Sequence, residues 1–163
     1  MTTAIICTAI LAAAVIATFS GTIERLVALS ALMTIVSGMG GNAATQTMAV
    51  TVRALATNQL TSSNAWRAIW REWLIALANG IGLGSIMAVG CQLYYHDTGL
   101  SLILFAAMLI NSINAGLSGV LIPLALEKLR LDPAVTSTVF VTTMTDCMGF
   151  FSLLGLASIF NVH

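Results

Sequence analysis

DPAVTSTVFVTTMTDCMGFFSLLGLASIF, residues 132–160, is the last apolar run of the chain, and past its opening aspartate it holds a single charge, Asp146. Asp132 followed by Pro133 reads as a helix start: a capping carboxylate, then a proline at the first helical position, where no N–H is needed. The run covers about 28 residues, or roughly 42 Å of helix, which crosses a bilayer with some tilt. Asp146 lies about 14 residues in, roughly 21 Å from the start, deep in the membrane. A charge at that depth costs at least about 2.5–3.5 kcal/mol, so it belongs against a bundle interior or a wet cavity. Thr138, Thr142, Thr145 and Asp146 recur at three- and four-residue spacing and give the helix one polar stripe. A carboxylate on a polar stripe inside a bilayer points to an ion pathway, ahead of a protonated or lipid-shielded structural aspartate.

The rest of the chain has the same character. Of its 163 residues 58% are hydrophobic and 7% charged, and the mean hydropathy is +0.98. Soluble domains carry roughly 25% charged residues, so the sequence reads as an all-α, polytopic integral membrane protein. Its length accommodates about five spans of 20–30 residues, with almost nothing left for a soluble domain. The formal net charge is zero, which argues against a nucleic-acid partner. Cys7, Cys91 and Cys147 stand alone in apolar runs. Without paired spacing they suggest neither disulfides nor zinc, and read as small buried hydrophobes.

Working outward, span one covers residues 1–19 and lacks the basic leading region of a signal peptide. Its abrupt apolar start suggests a chain cut from something longer. Residues 20–25 form a short polar connection. Span two, 26–56, is interrupted at 38–42 by Gly38, Gly40, Gly41 and Asn42. Those residues either pack a neighbour closely or break the helix beside protein or a water-filled cavity. A dinucleotide-binding reading fails, because no strand precedes these glycines and no acid follows about 20 residues later.

Trp66, Trp70 and Trp73, interleaved with Arg67 and Arg71, form an interfacial aromatic belt with snorkelling basic partners. Span three, 74–93, ends at Tyr94-Tyr95 and carries a small-residue face, Ala76, Gly80, Gly84 and Ala88. Span four, 100–126, places Asn111, Asn114 and Ser118 on one face, as interhelical glue or as pore lining, and Pro123 should kink its far end. Span five is 133–160. Arg53, Arg67, Arg71, Lys128 and Arg130 fall on one side of the membrane and Arg25 on the other. The positive-inside rule then puts the N-terminus in the cytoplasm and the C-terminus outside, in a cell's inner or plasma membrane.

Two motifs carry a resemblance to the membrane domain of the MgtE family of magnesium transporters. Gly40-Gly41-Asn42-Ala43 with Gln46, Val52-Arg53 and Leu55-Ala56 resembles the family's GGN(A/T)GxQ…VRGLA signature. Leu131-Asp132-Pro133-Ala134, Thr142-Thr143, Thr145-Asp146 and Gly149-Phe150 resemble its LDPA…TTxTDxxGF signature. Ala44 stands where the family usually has glycine, and Thr138-Val139 replaces a common Gly/Asn-Pro pair. The resemblance covers residues 1–163 and implies a homodimer of five-helix domains in the lipid bilayer. It implies a pore at the dimer interface, lined by helices two and five, with Gly38, Gly40, Gly41, Asn42 and Thr145 as lining candidates. It further implies that Asp146 and its dimer mate bind hydrated Mg²⁺, the transported ion, with the backbone carbonyls of Thr142 and Thr138 holding the ion's waters. Cytoplasmic sensor domains ahead of span one are also implied as partners, and these residues contain none.

The chemistry fits that expectation. Mg²⁺ takes octahedral oxygen ligands and sheds water reluctantly, so sparse carboxylate and carbonyl oxygens suit a hydrated ion. The expected activity is channel-like Mg²⁺ transport rather than an enzyme's. Rival readings are a proton-coupled divalent cation carrier, an intramembrane protease and a purely structural subunit. An aspartyl protease needs a second intramembrane aspartate, and a serine type needs an intramembrane histidine, whereas His96 and His163 lie at span ends.

Overall fold

The computed structural model describes residues 2–25, 27–61 and 64–160, with the backbone alone for 2–5, 24, 25 and 134–136. Met1 and Leu26, the starts assigned to spans one and two, lie outside the described residues. The described chain is helical: α1 (Thr2–Thr18), α2 (Ser20–Arg25), α3 (Ala28–Ala56), α4 (Ala65–Tyr95), α5 (Thr98–Lys128) and α6 (Pro133–Ile159). Among the described residues, three helices are long and apolar enough to cross a membrane: α4, α5 and the Ser137–Ile159 part of α6. Ile6–Thr18 is a shorter apolar helix. α3 has the length, at 29 residues, but Asn42, Thr45, Gln46, Thr47, Thr51 and Arg53 make its second half polar.

Local sequence sets the helix ends. α3 closes with Asn58 in the left-handed region (φ 55°) and Gln59 N–H returning to the Ala54 carbonyl at 2.9 Å. α5 closes the same way, with Arg130 at φ 57° and Leu131 N–H on the Leu126 carbonyl at 3.0 Å. Both are Schellman-type ends that satisfy orphan carbonyls. Between α4 and α5 the turn is only His96 and Asp97, and the Asp97 carboxylate caps α5 by accepting from Leu100 N–H at 3.1 Å. So short a turn makes α4 and α5 antiparallel neighbours. α6 begins at Pro133, where a missing N–H costs nothing.

One expectation is refined and one needs correcting. The short polar connection at 20–25 is itself helical, α2, because Thr22 and Ile23 N–H both turn back to the Phe19 carbonyl at 3.0 and 3.2 Å. The interruption expected at 38–42 is missing, since α3 runs unbroken from Ala28 to Ala56. Gly40 serves close approach instead. A Cβ on Gly40 would stand 2.2 Å from Asn111 Nδ2 of α5.

α5 sits at the centre, packed against α3, α4 and α6, while α1 lies along α6. Lipid tails are as apolar as leucine, so in a bilayer close packing and hydrogen bonds hold helices together. The α4–α5 seam shows the first of these. Ala76, Gly80 and Gly84 are buried, and Cβ atoms on Gly80 and Gly116 would meet α5 and α4 atoms at 2.9 and 2.7 Å. The opposite face of α4 exposes Leu74, Ile81, Ile86, Val89 and Leu93, as a lipid-facing surface should. Apolar clusters fill the two ends of the bundle. Leu29, Val36, Leu104, Met108 and Leu153 belong to one, and Leu55, Leu60, Val120 and Leu124 to the other. Between them lies a layer of small side chains, Ala44, Ala115 and Val141, and there the polar residues gather.

Candidate functional site

The α6 stripe separates into inner and outer members. Thr145 is fully buried, Thr142 and Asp146 are half-buried, and Thr138 is exposed. Thr142 and Thr145 satisfy themselves within the helix. Thr142 Oγ1 donates to the Thr138 carbonyl at 2.9 Å, and Thr145 Oγ1 to the Thr142 carbonyl at 2.9 Å. Such back-bonding lets hydroxyls sit in an apolar span without a partner helix. It also means that the Thr138 and Thr142 carbonyls each carry a hydroxyl bond beside the helical one. Thr138 Oγ1 lies 3.9 Å from Met48 Sδ of α3.

Asp146 cannot satisfy itself in that way. Its Oδ1 accepts a short hydrogen bond from Ser37 Oγ, on α3, across 109 residues of chain. Its Oδ2 accepts no hydrogen bond among the described residues. The carboxylate is therefore anchored on one oxygen and open on the other, at the seam between α3 and α6. Among the described residues no group of His, Cys, Asp and Glu gathers to hold a metal by side chains alone. One chain supplies a single carboxylate with hydroxyl and carbonyl oxygens around it.

The α3 candidates divide in the same manner. Gly38 and Asn42 are exposed, and Gly41 is half-buried beside Thr145, whose Oγ1 would be 3.8 Å from an added Cβ. Gly40 is buried and faces α5. Gly38, Gly41, Asn42, Thr138, Thr142 and Asp146 thus share one partly open α3/α6 surface. Gly40 and Thr145 point into the packed interior.

What holds this surface in place is a side chain of α5. Asn111 is 1% exposed, and its Nδ2 donates 2.8 Å to the Val36 carbonyl on α3. That amide fits only because glycines flank it. A Cβ on Gly149 of α6 would lie 3.0 Å from Nδ2 and 3.4 Å from the Ser37 backbone. Among the described residues, Asn111 Oδ1 is buried with no partner. Asn114 Nδ2 makes a second tie, to the Met144 carbonyl of α6 at 3.2 Å. Both asparagines therefore bridge helices, whereas Ser118 bonds within its own helix, to the Asn114 carbonyl at 2.7 Å.

Sequence reasoning missed Ser37. One serine in an apolar helix carries no signal of its own. The available clue was its place one residue ahead of the Gly38–Asn42 group.

Comparison with known proteins identifies the family. Residues 33–156 match the MgtE family, described as a divalent cation transporter. The chain is 33% identical over 148 residues to the magnesium transporter MgtE of Enterococcus faecalis, covering 91% of this chain and 33% of that protein. It is 28% identical over 151 residues to the magnesium transporter MgtE of Bacillus subtilis, covering 93% and 34%. Against that of Thermus thermophilus it is 28% identical over 158 residues, covering 94% and 34%. The chain spans about a third of the length of these curated relatives. The family match takes in the α3 glycines, Asn111 and Asp146 together, and the chain belongs to the MgtE family.

Proposed function

We propose that this chain is the ion-conducting membrane part of a Mg²⁺ transporter, working as a homodimer with a pore between the two copies. In this reading α1, α3, α4, α5 and α6 are five membrane spans, and the N-terminus is cytoplasmic. The observation that carries it is Asp146: a half-buried carboxylate in an apolar helix, tied on one oxygen by Ser37 and open on the other. An intramembrane carboxylate is costly to keep unless it faces a polar path or a cation. A two-fold axis beside the α3/α6 surface brings a second Asp146 opposite the first. Two carboxylates then supply charge for a divalent ion, while threonine and carbonyl oxygens at Thr142 and Thr138 meet its water shell. Mg²⁺ keeps several waters when bound, so such a wide, oxygen-poor site suits it better than a full protein cage would. Gly38, Gly41 and Asn42 supply the wall on α3.

The test is Mg²⁺ flux into liposomes holding the purified chain. Asp146→Asn keeps shape and hydrogen bonding, so the fold should survive while flux falls to background. An exchange-inert hexa-coordinate complex the size of hydrated Mg²⁺ should block the wild type. Wild-type flux through Asp146→Asn would remove the carboxylate from the mechanism. Measuring proton movement alongside Mg²⁺ separates a channel from a proton-coupled carrier.

A further inference from the structure

A cavity of about 500 Å³ opens at the end of the bundle where α3 stops and α4 begins, and Arg53, Arg67, Arg71, Gln59, Asn64 and Glu72 line it. Arg67 and Arg71 are one turn apart on α4 and point the same way, and Arg53 faces them from the last turn of α3. Like charges so arranged repel. A folded protein normally spaces them apart or gives each a carboxylate.

Here the second remedy is not used. Among the described residues Arg53, Arg67 and Arg71 make no ion pair and no side-chain hydrogen bond. Glu72 is the one acid lining the cavity, and its Oε2 is engaged by Thr47 Oγ1 at 3.3 Å. Asn64 is spent on the loop, donating to the Gln59 carbonyl and accepting from Thr61 N–H, each at 2.8 Å. Among the described residues the cavity is left with three guanidinium groups against the single Glu72 carboxylate, which pairs with none of them.

We infer that this cavity binds a phosphate group, presented by the headgroup of an anionic phospholipid. Arginine's planar fork matches phosphate oxygens two at a time, and several forks around one cavity favour that anion over a lone carboxylate. Depth argues for a lipid source. The same α4 turns carry Trp66 and Trp70, 74% and 54% exposed, and Trp70 stacks on Trp73 at 5.2 Å. Exposed tryptophans mark the headgroup level of a bilayer, which puts the cavity mouth among lipid phosphates. The inference goes beyond ion conduction and stands or falls separately from Asp146.

The test uses the purified full chain in detergent with equal amounts of phosphatidylglycerol and phosphatidylcholine, and native mass spectrometry to count the lipid retained. The wild type should prefer phosphatidylglycerol, and the double variant Arg67→Gln/Arg71→Gln should lose about fivefold of that preference per charge removed. Arg130→Gln removes one charge from the same end of the bundle without touching this cavity, and should keep the wild-type preference. Should the double variant fail to fold, Arg53→Gln probes the cavity from another helix. Inorganic phosphate offered to the chain in phosphatidylcholine alone separates the sources. Retention that depends on the same arginines would keep the site and assign it to soluble phosphate. A wild type with no anionic preference, a double variant that keeps it, or an equal loss in Arg130→Gln would each overturn the proposal.

Discussion

At the scale of single residues the molecule turns on a carboxylate that has a partner on only one side. Ser37 fixes Asp146 Oδ1 and so decides which way Oδ2 faces. A hydrogen bond to a charged group is worth about 1.5–3 kcal/mol net, so Ser37→Ala should weaken apparent Mg²⁺ affinity by roughly tenfold or more. Ser37→Thr, which keeps the hydroxyl, should restore it. The concentration dependence of flux in liposomes reads both, and an unchanged half-saturation in Ser37→Ala would mean that Asp146 needs no α3 partner. Asp146 was legible from sequence because a lone charge in an apolar run has few bland explanations. Ser37 was not, because serine is cheap in a membrane helix and nothing local reports a partner 109 residues away. The fates of Thr142 and Thr145 were equally hidden. Spacing puts them on one stripe, yet only packing decides that Thr145 turns inward and Thr142 stays half open.

At the scale of helices Gly40 of α3 and Gly149 of α6 make room for an α5 asparagine, Asn111. Sequence left two meanings for the Gly38–Asn42 group, close packing or a broken helix, because glycine is needed for either. Continuous α3 with Asn111 seated over Gly40 decides for packing. The helices themselves were readable from apolar length, and the α4 small-residue face from its four-residue period. Pairing between α5 and α3 was not, since which helices meet depends on connections whose packing a hydropathy pattern does not encode. The consequence is a coupled pair. Gly40→Ala places a methyl 2.2 Å from Asn111 Nδ2, in a site with no room to yield, and should cost about 1–3 kcal/mol. Asn111→Ala removes the obstacle along with the bond to Val36. The double variant should then be less damaged than the two losses summed, by at least about 1 kcal/mol. Unfolding midpoints in detergent for the two single variants and the double complete the cycle. Strict additivity would show that Gly40 is a glycine for some other reason.

For the whole molecule, two arrangements follow from what the single chain leaves uncovered. The first is orientation, where Arg53, Arg67, Arg71, Lys128 and Arg130 at one end argue for a cytoplasmic loop between α3 and α4. With the native cysteines removed, a membrane-impermeant thiol reagent should label a cysteine at Thr98 in intact cells and leave one at Asn58 untouched. The opposite pattern inverts the topology. The second is the dimer. α3 exposes Thr34, Gly38, Asn42 and Gln46, one turn apart along its length, beside exposed Thr138 of α6. A row of polar groups facing hydrocarbon carries a solvation penalty that the lipid-facing side of α4, with Ile81, Ile86 and Val89, avoids entirely. Water alone cannot cover such a row in a bilayer unless protein encloses it. A second copy related by a two-fold axis would enclose it, and would complete a paired Asp146 site in the same step. Cysteine at Asn42 should therefore cross-link to its mate under mild oxidation in native membranes, and cysteine at Ile86 should not. If Asn42 gave only monomer while Ile86 gave dimer, the copies would meet through α4. Any polar path past Asp146 would then have to run within a single chain.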